Sequence, residues 1–428
     1  MRVGIVGFGT VGAGVADILQ GSADLIRQRL GFPLRLVAVA DIDTESDRGV
    51  RLPDGVLSSD AARVVEGPDV DVVVETIGGT GAARELVLRA LSAGKHVVTA
   101  NKALIATHGA EVFDRAAKAG VRLGFEASVG GGIPIIKTLR EGLCANRITA
   151  VYGIINGTTN YILSEMAKTG RPFDEALADA KERGYAEPDP SIDVDGHDTA
   201  HKTAIMAMLA FGTPICADDV YVEGIADVRP EDIAYAAEFG YAIKMLGIAK
   251  ESDGRVEVRA HPTLIPAGHL LASVDGVYNA AYIVGDRAGR VMLYGEGAGR
   301  GPAASAVVAD LMDIASDVAC GASVGERVPM LLPAKALKPM SEVASCYYFR
   351  FTTVDQPGVL GAIAAVLGRR GISIASVIQK ARAAGETVPI IMLTHEARES
   401  EVRAALAEID ALDCVRNKTA LMRIEDHE

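Results

Sequence analysis

Tryptophan is absent from the 428 residues, and cysteine is scarce, at Cys144, Cys216, Cys320, Cys346 and Cys414. These five are scattered singly and match neither zinc spacings nor a dense disulfide framework, which fits free thiols in a reducing compartment. No apolar run approaches the ~18 residues that a membrane helix needs, so no membrane partner is expected. The opening MRVGIVGFG reads as strand and loop, without the basic n-region, apolar h-region and cleavage site of a signal peptide. The expected address is the cytoplasm. A formal charge of −13 argues against binding to a phosphate backbone, so no nucleic acid is expected either.

What is present is a chain that is 49% hydrophobic and long enough for two or three domains. The first ~130 residues alternate strand and helix: Val3 to Val6, a helix through Leu30, Leu34 to Ala40, Asp71 to Glu75, a helix from Ala82 to Ala93, and His96 to Thr99. This is the pattern of an α/β, doubly wound parallel sheet. From about Ile133 the pattern becomes mixed, with strands at Ala150 to Ile155, Val256 to Ala260 and Tyr278 to Val284, and helices at Thr199 to Phe211 and Pro230 to Gly247. It reads as a second, α+β domain. Glu326 to Ser345, with Pro329, Pro333 and Pro339, reads as a linker. The remainder follows the order strand, helix, strand, strand, helix, strand.

Gly7, Gly9 and Gly12 form GFGTVG directly after a strand and at the start of a helix, the context in which GxGxxG marks a dinucleotide cradle. Gly7 permits the tight turn, Gly9 lets a pyrophosphate approach the backbone, and Gly12 lets helix and strand pack closely. Phe8, Thr10 and Val11 complete the loop, and the helix N-terminus offers free N–H groups to phosphate. Asp41 ends the second strand, where a carboxylate can accept hydrogen bonds from ribose hydroxyls. It lies farther beyond Gly12 than the ~20 residues of the simple pattern. A carboxylate there favours NAD, Arg48 could compensate for NADP, and the choice stays open. A solvated turn residue is the plain alternative for Asp41.

Ligands of open α/β sheets collect at the carboxyl ends of the strands, which places Glu75, Thr76, Asn101 and Lys102 towards the nicotinamide. The densest chemical cluster is GYAEPDPSIDVDGHDTAHK, residues 184 to 202. As a calcium loop it fails, because aligning Gly196 with the sixth position puts Lys202 where a bidentate glutamate is required. His197 and His201 have the i, i+4 spacing of a zinc helix, but no third ligand is evident and a lysine is adjacent. Asp198 and Lys202 are four apart on one helical face, so the carboxylate can orient the ammonium, with Glu187 and Asp193 in the preceding loop. Such a set can hold a cationic amino group and deliver a proton. A helix start with solvated acidic caps is the alternative.

With these residues in view, the sequence resembles homoserine dehydrogenase. The resemblance is carried by GFGTVGAGV, TANKALIATHG, FEASVGGGIP, GIINGTTNYIL, GYAEPDPSIDVDGHDTAHK and GEGAGRGPAASAVVADL, in that order over residues 1 to about 320. It implies NAD(P)(H)-dependent, reversible reduction of L-aspartate 4-semialdehyde to L-homoserine, in the pathway to threonine, methionine and isoleucine. Lys202 would be the general acid and base, and Lys102 would support the substrate oxygen and contact the nicotinamide end. Glu187, Asp193 and Asp198 would hold the substrate ammonium and fix Lys202, with Gly157, Thr158 and Tyr185 lining the pocket. Glu126 to Ile133 resembles the family's monovalent cation site, with Glu126 and the carbonyls of Val129, Gly131 and Ile133 around Na+; a glycine-rich turn without an ion is the alternative. GEGAGRG, residues 295 to 301, opens a helix that in the family returns to the nucleotide domain. One departure is Ala40, where many relatives carry a basic residue before the aspartate, which puts NADP phosphate recognition in doubt.

The segment from Tyr347 to Lys380 resembles a ferredoxin-like ACT domain, a βαββαβ regulatory unit that pairs with a copy of itself. Asp355, Gln356, Pro357, Gly358 and Val359 would form the ligand turn into its first helix, with Ile372 to Gln379 as the other wall. By family analogy the effector is L-threonine; a dimerisation module without ligand is the alternative. The implied division is a dinucleotide-binding domain at 1–132 plus about 300–325, a catalytic and dimerisation domain at 133–299, a linker at 326–345 and an ACT domain at 346–428, in a homodimer or homotetramer. Competing functions are another dehydrogenase acting on an amino acid or its semialdehyde, and a catalytically silent amino-acid sensor that keeps a dinucleotide for structure.

Overall fold

The computed structural model describes residues 1–321, 334–380 and 387–426. Its first sheet joins β1 (Arg2–Val6), β2 (Arg35–Ala40), β3 (Leu57–Ser58), β4 (Val72–Glu75), β5 (His96–Thr99) and β6 (Leu123–Gly124) in the order β3-β2-β1-β4-β5-β6. Every pairing is parallel. The three valines of β4 and Glu75 at its end are all buried, as expected of a strand covered on both faces. The helix read from the sequence through Leu30 is two, α1 (Thr10–Gly21) and α2 (Ala23–Leu30), because Ser22 leaves the helical region at φ −109°, ψ 18°. α3 (Ala61–Val65), α4 (Ala82–Ser92) and α5 (Lys102–Ala119) connect the later strands.

The middle region starts after β6 with α6 (Ile135–Lys137), β7 (Ile148–Ile154), α7 (Gly157–Thr169), α8 (Phe173–Glu182), α9 (Ser191–Val194) and α10 (His197–Phe211). There follow β8 (Tyr221–Val222), α11 (Pro230–Glu238), β9 (Tyr241–Ser252), β10 (Arg255–Pro266), β11 (Tyr278–Gly285) and β12 (Gly289–Glu296). The expected helix from Pro230 to Gly247 is therefore wrong in its second half. Gly240, at φ +80°, ends the helix, and Ala242 to Gly247 form strand instead. The run misleads because β9 is buried on both faces from Ile243 to Ala249, so the alternation that identifies a strand is missing.

α12 (Arg300–Ala319) returns to the first sheet and packs on α1. A methyl group on Gly14 of α1 would sit 2.9 Å from Ala304 Cβ and from the Arg300 carbonyl, so glycine sets how close the two helices come.

The expected linker partly lies outside the described residues, at 326–333. Within the rest of the expected linker, β13 (Ala336–Leu337) pairs with β10, and β14 (Ala344–Val354) begins before the expected boundary. α13 (Val359–Arg369), β15 (Ile374–Ile378), β16 (Thr387–Thr394), β17 (Ala397–Arg398), α14 (Glu399–Asp410) and β18 (Ala420–Ile424) complete the chain. β18 pairs with β14 on one side and, through Thr263↔Arg423 and Leu264↔Ile424, with β10 on the other. One sheet, in the order β12-β11-β7-β9-β10-β18-β14-β16-β15, thus runs through both regions. Among the described residues, no helix is long and apolar enough to cross a membrane, and all five cysteines are free thiols.

Candidate active site

Two lysines from different regions meet on one carboxylate. α10 is capped by Gly196, whose φ of +90° and lack of Cβ let it lie against Val222 and the Glu223 carbonyl. In the first turn Asp198 is 1% exposed, and the next turn brings Lys202 Nζ to 2.8 Å from Asp198 Oδ2. Lys202 also donates to the Ile155 carbonyl at 2.6 Å. Lys102, the first residue of α5 after β5, pairs with Asp198 Oδ1 from the side of the first sheet.

The electrostatics separate the two lysines. Burial draws Lys202 below the usual lysine pKa, and the Lys102 charge adds to that, against the pull of Asp198. Burial also acts on Lys102, but Asp198, Asp193 and Glu187 outweigh it and hold it above the usual value. Asp198 is kept well below the carboxylate range, because its two lysines overcome its burial.

Asn156 organises the carboxylates. Its Oδ1 caps α7 by accepting from Thr159 N at 2.8 Å, and its Nδ2 donates to Asp193 Oδ1 at 2.6 Å and Asp198 Oδ2 at 2.8 Å. Thr158 Oγ1 donates to the Tyr185 carbonyl at 2.7 Å and reaches Asp193 Oδ2 at 3.1 Å. The Tyr185 ring packs edge-on against Tyr161. A side chain on Gly157 would meet the Val277 carbonyl at 2.8 Å. Glu187 is exposed, and its charge acts on Lys102 through space. Sequence reasoning missed Asn156 and the Ile155 carbonyl. The signal for Asn156 was its N-cap position in INGTTN.

The glycine loop follows β1 in the same parallel sheet whose β5 leads to Lys102. Gly7, at φ +94°, would push a Cβ to 2.7 Å from Thr76, and Gly12 would push one to 2.0 Å from the Gly7 carbonyl, while space beside Gly9 is open. Thr76 Oγ1 donates to the Gly7 carbonyl at 2.6 Å, which ties the end of β4 to the loop. Phe8 is buried and Thr10 and Val11 open α1. Asp41 accepts from Phe8 N and, at 2.9 Å, from Asp43 N, so both its oxygens already brace the loop. Glu75 is locked likewise: it accepts from Ile77 N at 2.8 Å, Gly78 N at 3.1 Å and Thr99 Oγ1 at 2.5 Å. Asn101 caps α5 through Leu104 N at 3.0 Å, directing Lys102 inward. The loop and helix terminus fit a dinucleotide: the cradle is open where phosphate would lie and closed where a side chain would block the turn.

Glu126 accepts from Ile136 N at 2.8 Å and Lys137 N at 2.7 Å, and its own N–H donates to Asp310 of α12 at 2.9 Å. Burial raises Glu126 and Asp310 to about 7 each. The Ile133 carbonyl accepts from Ile135 N at 2.7 Å; no backbone hydrogen bond among the described loop residues ends on the carbonyl of Val129 or Gly131. Among the described residues, no group of three His, Cys, Asp or Glu side chains could hold a metal, so a zinc site at His197 and His201 has no support in the geometry.

In the C-terminal unit, Gly358, at φ +92°, turns the chain from Asp355, Gln356 and Pro357 into α13 at Val359.

Comparison with known proteins gives the same assignment from end to end. Residues 7–126 match the family described as "Homoserine dehydrogenase, NAD binding domain", 134–312 match "Homoserine dehydrogenase" and 347–414 match "ACT domain". A homoserine dehydrogenase of Neisseria gonorrhoeae is 47% identical over 99% of this chain and 98% of its own, and one of Pseudomonas aeruginosa is 45% identical over 99% of each. The crystal structure of a homoserine dehydrogenase from Thiobacillus denitrificans superimposes with a TM-score of 0.94 at 46% identity, covering 100% of this chain and 98% of that one. A hyperthermophilic archaeal homoserine dehydrogenase mutant, solved in complex with NADPH, covers 73% of this chain and 97% of its own with a TM-score of 0.62 at 27% identity.

Proposed function

Because the chain belongs to the homoserine dehydrogenase family, we propose that it interconverts L-aspartate 4-semialdehyde and L-homoserine, on the way to threonine, methionine and isoleucine, with Lys202 as acid and base. The observation that carries this reading is the Lys202–Asp198–Lys102 cluster, with Lys202 buried and held below the usual lysine pKa.

Gly7 to Gly12 would hold NAD(P)(H), with Thr76 and Lys102 towards its nicotinamide, and the cofactor would supply or accept the hydride. Lys202 donates a proton to the substrate oxygen in reduction and removes it in oxidation, and the lowering of its pKa by burial eases release of that proton. Lys102 stays charged and stabilises the same developing oxyanion. Asp193 and Glu187 receive the substrate ammonium, and Gly157, Thr158 and Tyr185 shape the wall around it. Asp198 holds both lysines in place.

A monovalent cation such as Na+ would lie beside the Val129 and Gly131 carbonyls, with Glu126 and Ile133 completing the loop; among the described residues neither of these two carbonyls accepts a backbone hydrogen bond, which supports this. The turn from Asp355 to Val359 would take L-threonine as feedback effector, its carboxylate meeting the N–H groups that open α13. The domain division is the one implied by the family, with α12 completing the nucleotide-binding domain. The edge strands β12 and β15 leave backbone groups for pairing copies of the chain in a homodimer or homotetramer.

Purified protein given L-homoserine with NAD or NADP should show growing absorbance in the reduced-nicotinamide band, and Lys202→Ala should abolish it with cofactor binding intact. Absence of turnover in both directions with both cofactors would sink the reading. Rates unchanged by L-threonine would remove the regulatory part alone.

A further inference from the structure

The chain is acidic as a whole, with 56 acidic against 43 basic residues. One cavity, of about 560 Å³, reverses that sign, with four cationic side chains against three carboxylates in its walls. It lies where α11 and the segment after β8 face β18 and α14, so both the middle and the C-terminal regions contribute to it. Its size falls within the ~300–1,000 Å³ of small-molecule sites.

Most of its charges are already committed. Arg350 forks onto Asp232 at 2.6 and 3.0 Å, and Glu223 accepts from Arg403 at 2.5 Å and from Arg423, behind the wall, at 2.7 Å. Three are not: Arg229, Lys418 and Asp227 are exposed to the cavity mouth and form no ion pair among the described residues. Two unpaired cations and one unpaired carboxylate are the complement of a ligand with two anionic groups and one cationic group.

We propose that this cavity binds a small acidic amino acid, with its carboxylates on Arg229 and Lys418 and its ammonium on Asp227. The site is separate from the turn at Asp355 to Val359, none of whose residues line it, and it does not depend on the oxidoreductase reading. Its inner wall leans on the active-site segment: a methyl on Gly224 would meet the Val194 carbonyl at 2.5 Å and Asp195 at 2.8 Å, between Asp193 and Asp198.

Titration calorimetry on the full chain at low salt tests this with three probes: L-aspartate, succinate, which lacks the ammonium, and L-alanine, which lacks the second carboxylate. L-Aspartate should bind at least about tenfold more tightly than either of the others. Arg229→Ala with Lys418→Ala should weaken L-aspartate at least about tenfold, and Asp227→Asn should remove its advantage over succinate. All three positions are exposed, and an unchanged circular dichroism spectrum and turnover will show that the variants fold. The proposal is overturned if no probe binds up to about 10 mM, if succinate matches L-aspartate on the unmodified chain, or if L-aspartate binds the double variant unchanged. Loss of binding in Gln356→Ala with the double variant unaffected would move the ligand to the turn and overturn it as well.

Discussion

Two clusters of buried charge can be compared within this chain. Around Asp198 the cations are lysines, one of them below the usual pKa, and the buried carboxylate is shared between both lysines and Asn156. At the junction of the C-terminal unit the cations are arginines. Arg423, fully buried, donates to Glu399 at 2.9 Å and to Glu223 at 2.7 Å, and Arg259 meets Glu257 at 3.1 Å and also pairs with Glu425. Those carboxylates raise Arg423 above the usual arginine range despite its burial. A guanidinium bound on several sides has no proton to give at any working pH, whereas an ammonium weakened by burial has one. On the proposed mechanism, burial of charge therefore does not mark the chemistry; a releasable proton does.

The contrast breaks most visibly at Lys202. Lys202→Ala should lower kcat by about 10³-fold or more, with the dinucleotide dissociation constant and the Tm nearly unchanged, because Asp198 keeps Lys102 and Asn156. A Tm that collapses would put Lys202 among the structural charges. Arg423→Met should do the reverse. Removing one partner of a buried pair costs about 3–5 kcal/mol, read from denaturant unfolding, while kcat of the folded fraction holds. A large fall in kcat at unchanged stability would erase the distinction between the clusters.

Asn156 belongs to neither class. It carries no charge, yet it sets the orientation of Asp193 and Asp198 together. Asn156→Ala should reduce kcat/KM by up to about 10²-fold, mostly through KM for the amino-acid substrate, with cofactor affinity intact. Equal changes in both affinities would make it a structural cap only.

The sequence showed the two clusters unequally. GFGTVG after a strand, and Asp198 four residues before Lys202, are local patterns, and a helix of 3.6 residues per turn brings the latter pair together whatever else the chain does. Asn156 and the Ile155 carbonyl lie more than forty positions from Lys202, so their contacts depend on how β7 and α10 pack. The junction was invisible for the same reason. Arg423 and Glu223 are distant in sequence, and a module read as a separate unit behind a linker gave no sign that β18 would pair with β10. β9 was half misread because burial on both faces hides the period of two on which strand recognition depends.

The smallest expected effects are slopes against pH, and they separate the clusters by the unfolded pKa at which each slope ends. Glu223 is lowered from 4.5 to about 2; burial alone would raise it, and Arg423 reverses that. The folded state thus binds fewer protons than the unfolded one between those values. The stability that Glu223 contributes is complete above 4.5 and is lost as the pH falls towards 2. Lys202 is also lowered, but as a cation: the folded state disfavours its proton, so stability rises with pH from its folded pKa up to the 10.5 of an unfolded lysine. Urea midpoints measured across pH should therefore lose part of their acid slope in Glu223→Gln and part of their alkaline slope in Lys202→Met. An alkaline slope that survives Lys202→Met would mean that burial does not weaken this ammonium, and the comparison would lose its chemical half.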